Sequence, residues 1–84
     1  MTIRQIKAAR ALLGWSQGDL AHHSSISEPT IARLESIGGE ISGGPKTVQK
    51  IKDALEKAGV EFIEENGGGL GVRLRKRQHP RKSK

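Results

Sequence analysis

The strongest structural signal in the chain lies at residues 14–35, which read GWSQGDLAHHSSISEPTIARLE. Gly14 ends a preceding helical pattern, and Ser16 stands three residues before Asp19. That is the spacing of a reciprocal N-cap, in which each side chain binds the backbone N–H of the other residue. The pair predicts a short helix over about residues 17–24.

A second helix is indicated after a turn of a few residues. Ser27 is placed as its N-cap, and Pro29 falls in the first turn, where the missing N–H of proline costs no hydrogen bond. Ile31 and Leu34 are spaced to share one buried face. With so few apolar anchors, this helix, which starts near Glu28, would show a small and polar face to solvent.

Helical patterns also flank this pair. Apolar residues recur at helical spacing over 2–13, and a second stripe follows Pro45 and ends before Gly59, a favourable residue just after a helix. The stretch 37–45 between them is a glycine-rich loop. The residues expected to point inward are Ile3, Ile6, Ala9, Leu13, Val48, Ile51, Leu55 and Ala58.

The C-terminal part predicts a β-hairpin, with strands at 60–63 and 70–75 and a turn at 65–69. An isolated hairpin is marginal in water, so its apolar residues need cover. The helices can cover one face, and the exposed edge could pair with the same edge of a second subunit. We therefore expect a dimer interface built on Val60, Phe62, Leu70, Val72 and Leu74.

Residues 3–58 resemble the Cro and C1 repressor family, also called the XRE family, over about two thirds of the chain. The match is carried by Gln17, Leu20, Ala21, Ile26, Ile31 and Leu34. The resemblance implies a mainly α fold, a Cro/C1-like four-helix helix-turn-helix domain with a C-terminal β-hairpin. One position departs from the pattern: Ser25 stands where the family usually has glycine, because the turn there tends to need a left-handed backbone.

The resemblance also implies a DNA-binding site, since the second helix of this motif enters the major groove. Arg33 can donate two hydrogen bonds to guanine, and Glu28 can accept one from cytosine N4 or adenine N6, unless both are only solvated surface charges. The implied base-contacting residues are Ser27, Glu28, Pro29, Thr30 and Arg33, with Ala32 lining the groove. The implied phosphate-contacting residues are Arg10, Gln17, Lys46 and Thr47, and Arg10 also resembles the family partner of Glu35.

The net charge of +6 comes from one end of the chain. Residues 1–72 hold 8 basic and 9 acidic side chains, whereas residues 73–84 hold 7 basic and none acidic. The segment 76–84 is therefore expected to be a basic disordered tail, either a solvated end or an arm that contacts phosphates.

Several classes of protein and site are disfavoured. The absence of cysteine excludes disulfides and thiolate metal sites, and adjacent His22 and His23 point about 100° apart on a helix, so no metal site is expected. The NGGGLG stretch at 66–71 lacks the context of a phosphate-binding loop. No catalytic cluster is visible, and no apolar run could cross a bilayer. We expect a cytoplasmic protein that is not an enzyme and has no cofactor.

Together these features predict a homodimeric regulator of transcription that binds inverted-repeat operators in double-stranded DNA as a repressor, with autoregulation and activation left open. Its parts would be a DNA-binding domain over 1–59, a dimerisation hairpin over 60–75 and the tail. RNA polymerase and a protein antagonist are candidate further partners. The alternative is an antitoxin or antiactivator that holds a protein partner, with DNA binding secondary. RNA binding is less favoured, since stacking aromatic residues are lacking.

Overall fold

The computed structural model describes residues 1–65 and 67–75, so the basic segment 76–84 lies outside the described residues. Four helices are followed by a two-stranded antiparallel sheet, as the sequence predicted. The elements are α1 (Ile3–Leu13), α2 (Gln17–Ser24), α3 (Glu28–Ile37), α4 (Pro45–Lys57), β1 (Val60–Ile63) and β2 (Gly71–Leu74).

The predicted helix boundaries are confirmed by their caps. Ser16 donates its backbone N–H to Asp19 Oδ2 at 2.9 Å, and Asp19 N–H donates to Ser16 Oγ at 3.0 Å, which closes the reciprocal cap at the start of α2. The Ser27 side chain caps α3, and Gly14 ends α1 in the left-handed region. Three of the four helices thus begin with a side-chain cap, and α4, which follows Gly44, has none.

All four helices and the first strand contribute to one apolar core. Ala54 is part of that core, whereas Ala58, which we expected to point inward, is exposed. Because α4 ends at Lys57 and the chain turns at Gly59 with φ +110°, Ala58 lies beyond the packed face. The buried apolar residues are Ile3, Ile6, Ala9, Leu20, Ile31, Leu34, Ile51, Ala54, Leu55 and Val60.

A buried glutamine, which hydrophobic patterning could not reveal, ties the sheet to α1. Gln5 is 3% exposed, and its Nε2 donates to the carbonyl oxygens of Gly71 at 3.0 Å and Ile63 at 3.3 Å. Its Oε1 accepts the backbone N–H of Thr2 at 2.9 Å, so the same side chain also closes the cap of α1. One amide therefore satisfies backbone groups from three segments, as a buried polar group requires.

The hairpin packs much of its apolar face on its own helices. Val60 is 0% exposed, and Phe62 and Val72, which pair across the strands, pack half-buried against the core. Three of the five residues expected at a dimer interface thus pack in or against the core of this chain, because the helices cover that face. Leu70, which lies just before β2, and Leu74 remain 46% and 48% exposed.

The turn between α2 and α3 holds a strained residue at the position where the family resemblance implied one. Ser25 has φ +61° and is the only described non-glycine residue with a positive φ. Ser25 has an exposed side chain, and its backbone ends α2 in the left-handed conformation. This conformation costs an L-residue roughly 1–2 kcal/mol.

We predict that Ser25→Gly raises the melting temperature by roughly 4–8 °C, the shift that about 1 kcal/mol produces in a domain of this size. The measurement is thermal unfolding by circular dichroism. Ser25→Ala is the matched control, since it removes the same hydroxyl but keeps the strained Cβ. Equal melting temperatures for the two variants would show that the left-handed backbone carries no cost here.

Candidate nucleic-acid interface

One side of α3 anchors the helix and the other faces solvent. Ile31, Leu34 and Glu35 are buried, whereas Pro29 and Arg33 are exposed on the opposite side. The structure brings the sequence-predicted base-contacting residues Ser27, Glu28, Pro29, Thr30 and Arg33 to the exposed side of α3 or to its N-terminus, with Thr30 half-buried. We call this surface the α3 face. Ser36, which the sequence did not indicate as a contact residue, is also exposed on it.

Arg33 is the most versatile hydrogen-bond donor on the α3 face. Its guanidinium makes no hydrogen bond or ion pair with any residue in 1–65 or 67–75, and its backbone carbonyl accepts from Ser36 Oγ at 2.9 Å. A planar guanidinium with its donors free can bind both acceptors on the major-groove edge of guanine.

The hydroxyl groups of Ser27 and Thr30, at the start of α3, form hydrogen bonds in the helix cap. Ser27 Oγ donates to Thr30 Oγ1 at 2.8 Å and accepts the backbone N–H of Thr30 at 3.4 Å. The two hydroxyls share one hydrogen bond, so one hydroxyl proton of the pair remains for an acceptor on a base or a phosphate.

A partly buried ion pair fixes α3 against the two helices before it. Arg10 on α1 donates to Glu35 through Nε at 2.8 Å and Nη2 at 2.7 Å, and through Nη1 to the Trp15 carbonyl oxygen at 3.0 Å. Gln17 on α2 donates from Nε2 to Glu35 Oε1 at 3.1 Å. We call Arg10, Gln17 and Glu35 the clamp. Arg10 and Gln17, both expected to contact phosphates, thus use side-chain hydrogen-bond donors for contacts within the protein.

The clamp also sets the ionisation of Glu35. Burial alone would raise the pKa of this carboxyl group, but hydrogen bonds from Arg10 and Gln17 and the positive charge of Arg10 outweigh it. The pKa of Glu35 therefore lies below its ordinary value. The same pairing raises the pKa of Arg10, so the pair stays ionised at neutral pH.

Two helix N-termini keep backbone donors open. The cap of α2 uses the N–H of Asp19, which leaves the first two N–H groups of that helix, at Gln17 and Gly18, without a cap partner. α4 has no side-chain cap, and Lys46 and Thr47 occupy its first turn. Such N-termini attract anions because their N–H groups and the helix dipole point outward.

Other kinds of site lack support among the described residues. No group of three or more histidine, aspartate or glutamate side chains there could hold a metal ion. None of the helices in that part of the chain is long and apolar enough to cross a membrane.

We predict that Glu35→Gln lowers the free energy of unfolding at pH 7 by roughly 1.5–3 kcal/mol, because the charged hydrogen bonds to Arg10 are weakened. In the wild type, the contribution of the carboxylate is complete above the pKa of the unfolded chain, about 4.3, and is lost as the pH falls through the lower folded pKa. The variant should therefore lose less stability than the wild type on acidification from pH 5 to pH 3.

Urea unfolding followed by the fluorescence of Trp15, the single tryptophan, measures both effects. Glu64→Gln is the control, since it removes the same charge from an exposed position. Equal acid sensitivity of wild type and Glu35→Gln would contradict the electrostatic role of the clamp.

Comparison with known proteins agrees with this geometry. The helix-turn-helix family model matches residues 6–61, two thirds of the chain, and the match includes α2, the turn at Ser25 and α3. No curated protein matches the chain with significance. The family is one of DNA-binding regulators and not of enzymes. This chain belongs to the helix-turn-helix family of Cro/C1-type DNA-binding transcriptional regulators.

Proposed function

We propose that the protein is a homodimeric repressor that binds an inverted-repeat operator, with α3 of each subunit in the major groove. The supporting observation is the α3 face, where the Arg33 guanidinium is exposed and has no partner among the described residues, on a helix whose buried side is held by the clamp. Arg33 reads guanine, Glu28 accepts from cytosine or adenine, and Thr30 donates to a neighbouring acceptor. Ser27 and Pro29 shape the entry of the helix into the groove.

Phosphate contacts set the register of α3 on the DNA. The open N–H groups of Gln17 and Gly18 bind one phosphate, and Lys46 with Thr47 at the uncapped start of α4 binds another. Arg10 contributes indirectly, since its donors hold Glu35 and Trp15 in place.

A single α3 is too short to read a whole operator. Its ten residues span about 15 Å, so one subunit reads a half-site and a two-fold pair reads successive major grooves roughly 34 Å apart. The exposed Leu70 and Leu74 form the apolar part of the proposed interface, and each strand is paired on one side only within the described residues. The opposite face of the hairpin packs on the helical core through Val60, Phe62 and Val72.

Repression by occupancy needs no effector site. A bound dimer blocks access of RNA polymerase to a promoter in the cytoplasm, and a protein antagonist could relieve it. The other candidate function, an antitoxin or antiactivator, would use the helical surface to hold a protein. The open guanidinium of Arg33 favours DNA, because its geometry matches a guanine edge.

We predict that in vitro selection from random duplex DNA yields an inverted repeat for the wild type, and that Arg33→Ala loses a G·C preference in each half-site. The expected loss of discrimination is about 5- to 150-fold at that base pair, the equivalent of 1–3 kcal/mol. Arg33→Lys should lose most of the same preference, because it keeps the charge but not the planar fork.

Lys57→Ala is the matched control, since it removes one exposed positive charge at the far end of α4. It should leave the selected motif unchanged. Sequence-blind, salt-sensitive binding by the wild type would reject the operator-binding role and favour the protein-interaction alternative.

We predict that Leu70→Lys combined with Leu74→Lys weakens dimerisation at least about tenfold, because two buried leucines contribute several kcal/mol to an interface. Sedimentation equilibrium without DNA measures the dissociation constant. Ile37→Lys, a charge introduced at a residue 62% exposed on α3, is the control. A wild-type monomer would reject the homodimer, and dimers of equal strength in all three proteins would place the interface elsewhere.

A further inference from the structure

The backbone conformation at Gly18 does not require glycine. Gly14 and Gly59 lie at φ +70° and +110°, where glycine is favoured, but Gly18 sits in the first turn of α2 without a positive φ. Glycine within a helix costs roughly 0.5–1 kcal/mol relative to alanine. The helix would therefore gain from a side chain at this position.

The space beside Gly18 is taken by the side chain of a residue on the α3 face. A Cβ built on Gly18 would lie 3.3 Å from Glu28 Oε1 and 3.7 Å from Glu28 Cδ. It would also lie 3.5 Å from Ser16 Oγ. The Glu28 carboxyl group thus extends across the bare backbone of α2 and does not point straight to solvent.

Electrostatics favour this placement of Glu28. It is the first residue of α3 and lies against the first turn of α2, so its carboxylate is close to the positive ends of two helices. No described hydrogen bond or ion pair holds the carboxylate, so its position depends on the helix dipoles and on the open surface that Gly18 provides.

We propose that Gly18 is a specificity-determining residue that acts by positioning Glu28. Without a side chain at this position, the carboxylate lies along α2 and accepts a hydrogen bond from cytosine N4 or adenine N6 at the end of the half-site. A methyl group here would lie 3.3 Å from Oε1, so the flexible carboxyl group would shift by a few tenths of an ångström or more from its position at that edge. This inference rests on the proposed function, since it requires that α3 read DNA.

The test compares four proteins: wild type, Gly18→Ala, Glu28→Ala and the double variant. The base pair read by Glu28 is the operator position whose preference Glu28→Ala abolishes, measured by competition between operators that differ only there. We expect Gly18→Ala to lose about fivefold or more of that preference. We expect the double variant to match Glu28→Ala, because Gly18 acts only through Glu28.

Stability separates positioning from misfolding. Gly18→Ala should melt at or above the temperature of the wild type, because alanine is the better helix former. Gly44→Ala is the matched control: this glycine also stands at a helix start, and an added Cβ there meets nothing within 4 Å. It should leave the preference at the Glu28 position unchanged.

The outcomes distinguish failure of this inference from failure of the proposed function. A Gly18→Ala protein with full wild-type preference overturns the inference alone, and so does a uniform loss of affinity for all operators, which would mean a lost phosphate contact. Unchanged preference in Glu28→Ala overturns it as well. Sequence-blind binding by the wild type overturns the proposed function and this inference together.

Discussion

The clamp around Glu35 is the interaction on which the orientation of α3 depends. The Glu35 side chain is 4% exposed, and its carboxyl group accepts hydrogen bonds from Arg10 on α1 and Gln17 on α2. α3 has few apolar anchors, so hydrophobic burial alone would hold it loosely. Buried ion pairs often add little net stability because both charges are desolvated. Here the pair defines geometry: three helices share one carboxylate, and a rotation of α3 would break all of its bonds.

The outward-facing chemistry follows from this support. With Glu35 directed inward, Arg33 two residues earlier is directed outward, and its guanidinium remains unpaired among the described residues. The side-chain cap of α2 and the missing side-chain cap of α4 leave open N–H groups at both N-termini. Rigid backbone donors at two helix N-termini and a flexible arginine on the α3 face suit a ligand that offers both phosphates and base edges.

The hairpin shows how a small domain uses each apolar residue. A chain of 84 residues buries a limited share of its surface, so the helical core gains from the strands that follow it. Val60 completes that core, and Gln5 fastens both strands to α1 through two carbonyl oxygens. The alternation of the strand residues suggested that five apolar side chains of the hairpin could contact a partner. The apolar surface that remains exposed on the hairpin is smaller and lies mainly at Leu70 and Leu74.

The sequence by itself determined the features that arise from neighbours in the chain. The cap of Ser16 and Asp19, the placement of Pro29 and the end of α4 before Gly59 depend on residues within a few positions, so the local sequence is enough to predict them. The left-handed turn at Ser25 was expected only from the family resemblance. The sequence also indicated Arg33 and Glu28 as base-contacting residues, through the resemblance of residues 14–35 to a known motif.

Only the tertiary structure decided the features that join distant segments. The burial of Gln5 depends on carbonyl groups 58 and 66 residues away, which no local pattern reports. The exposure of Ala58 and the enclosure of Val60 follow from where the chain turns after α4. The space beside Gly18 has meaning only once α3 is packed against α2, because the atom that fills it belongs to Glu28, ten positions later in the chain.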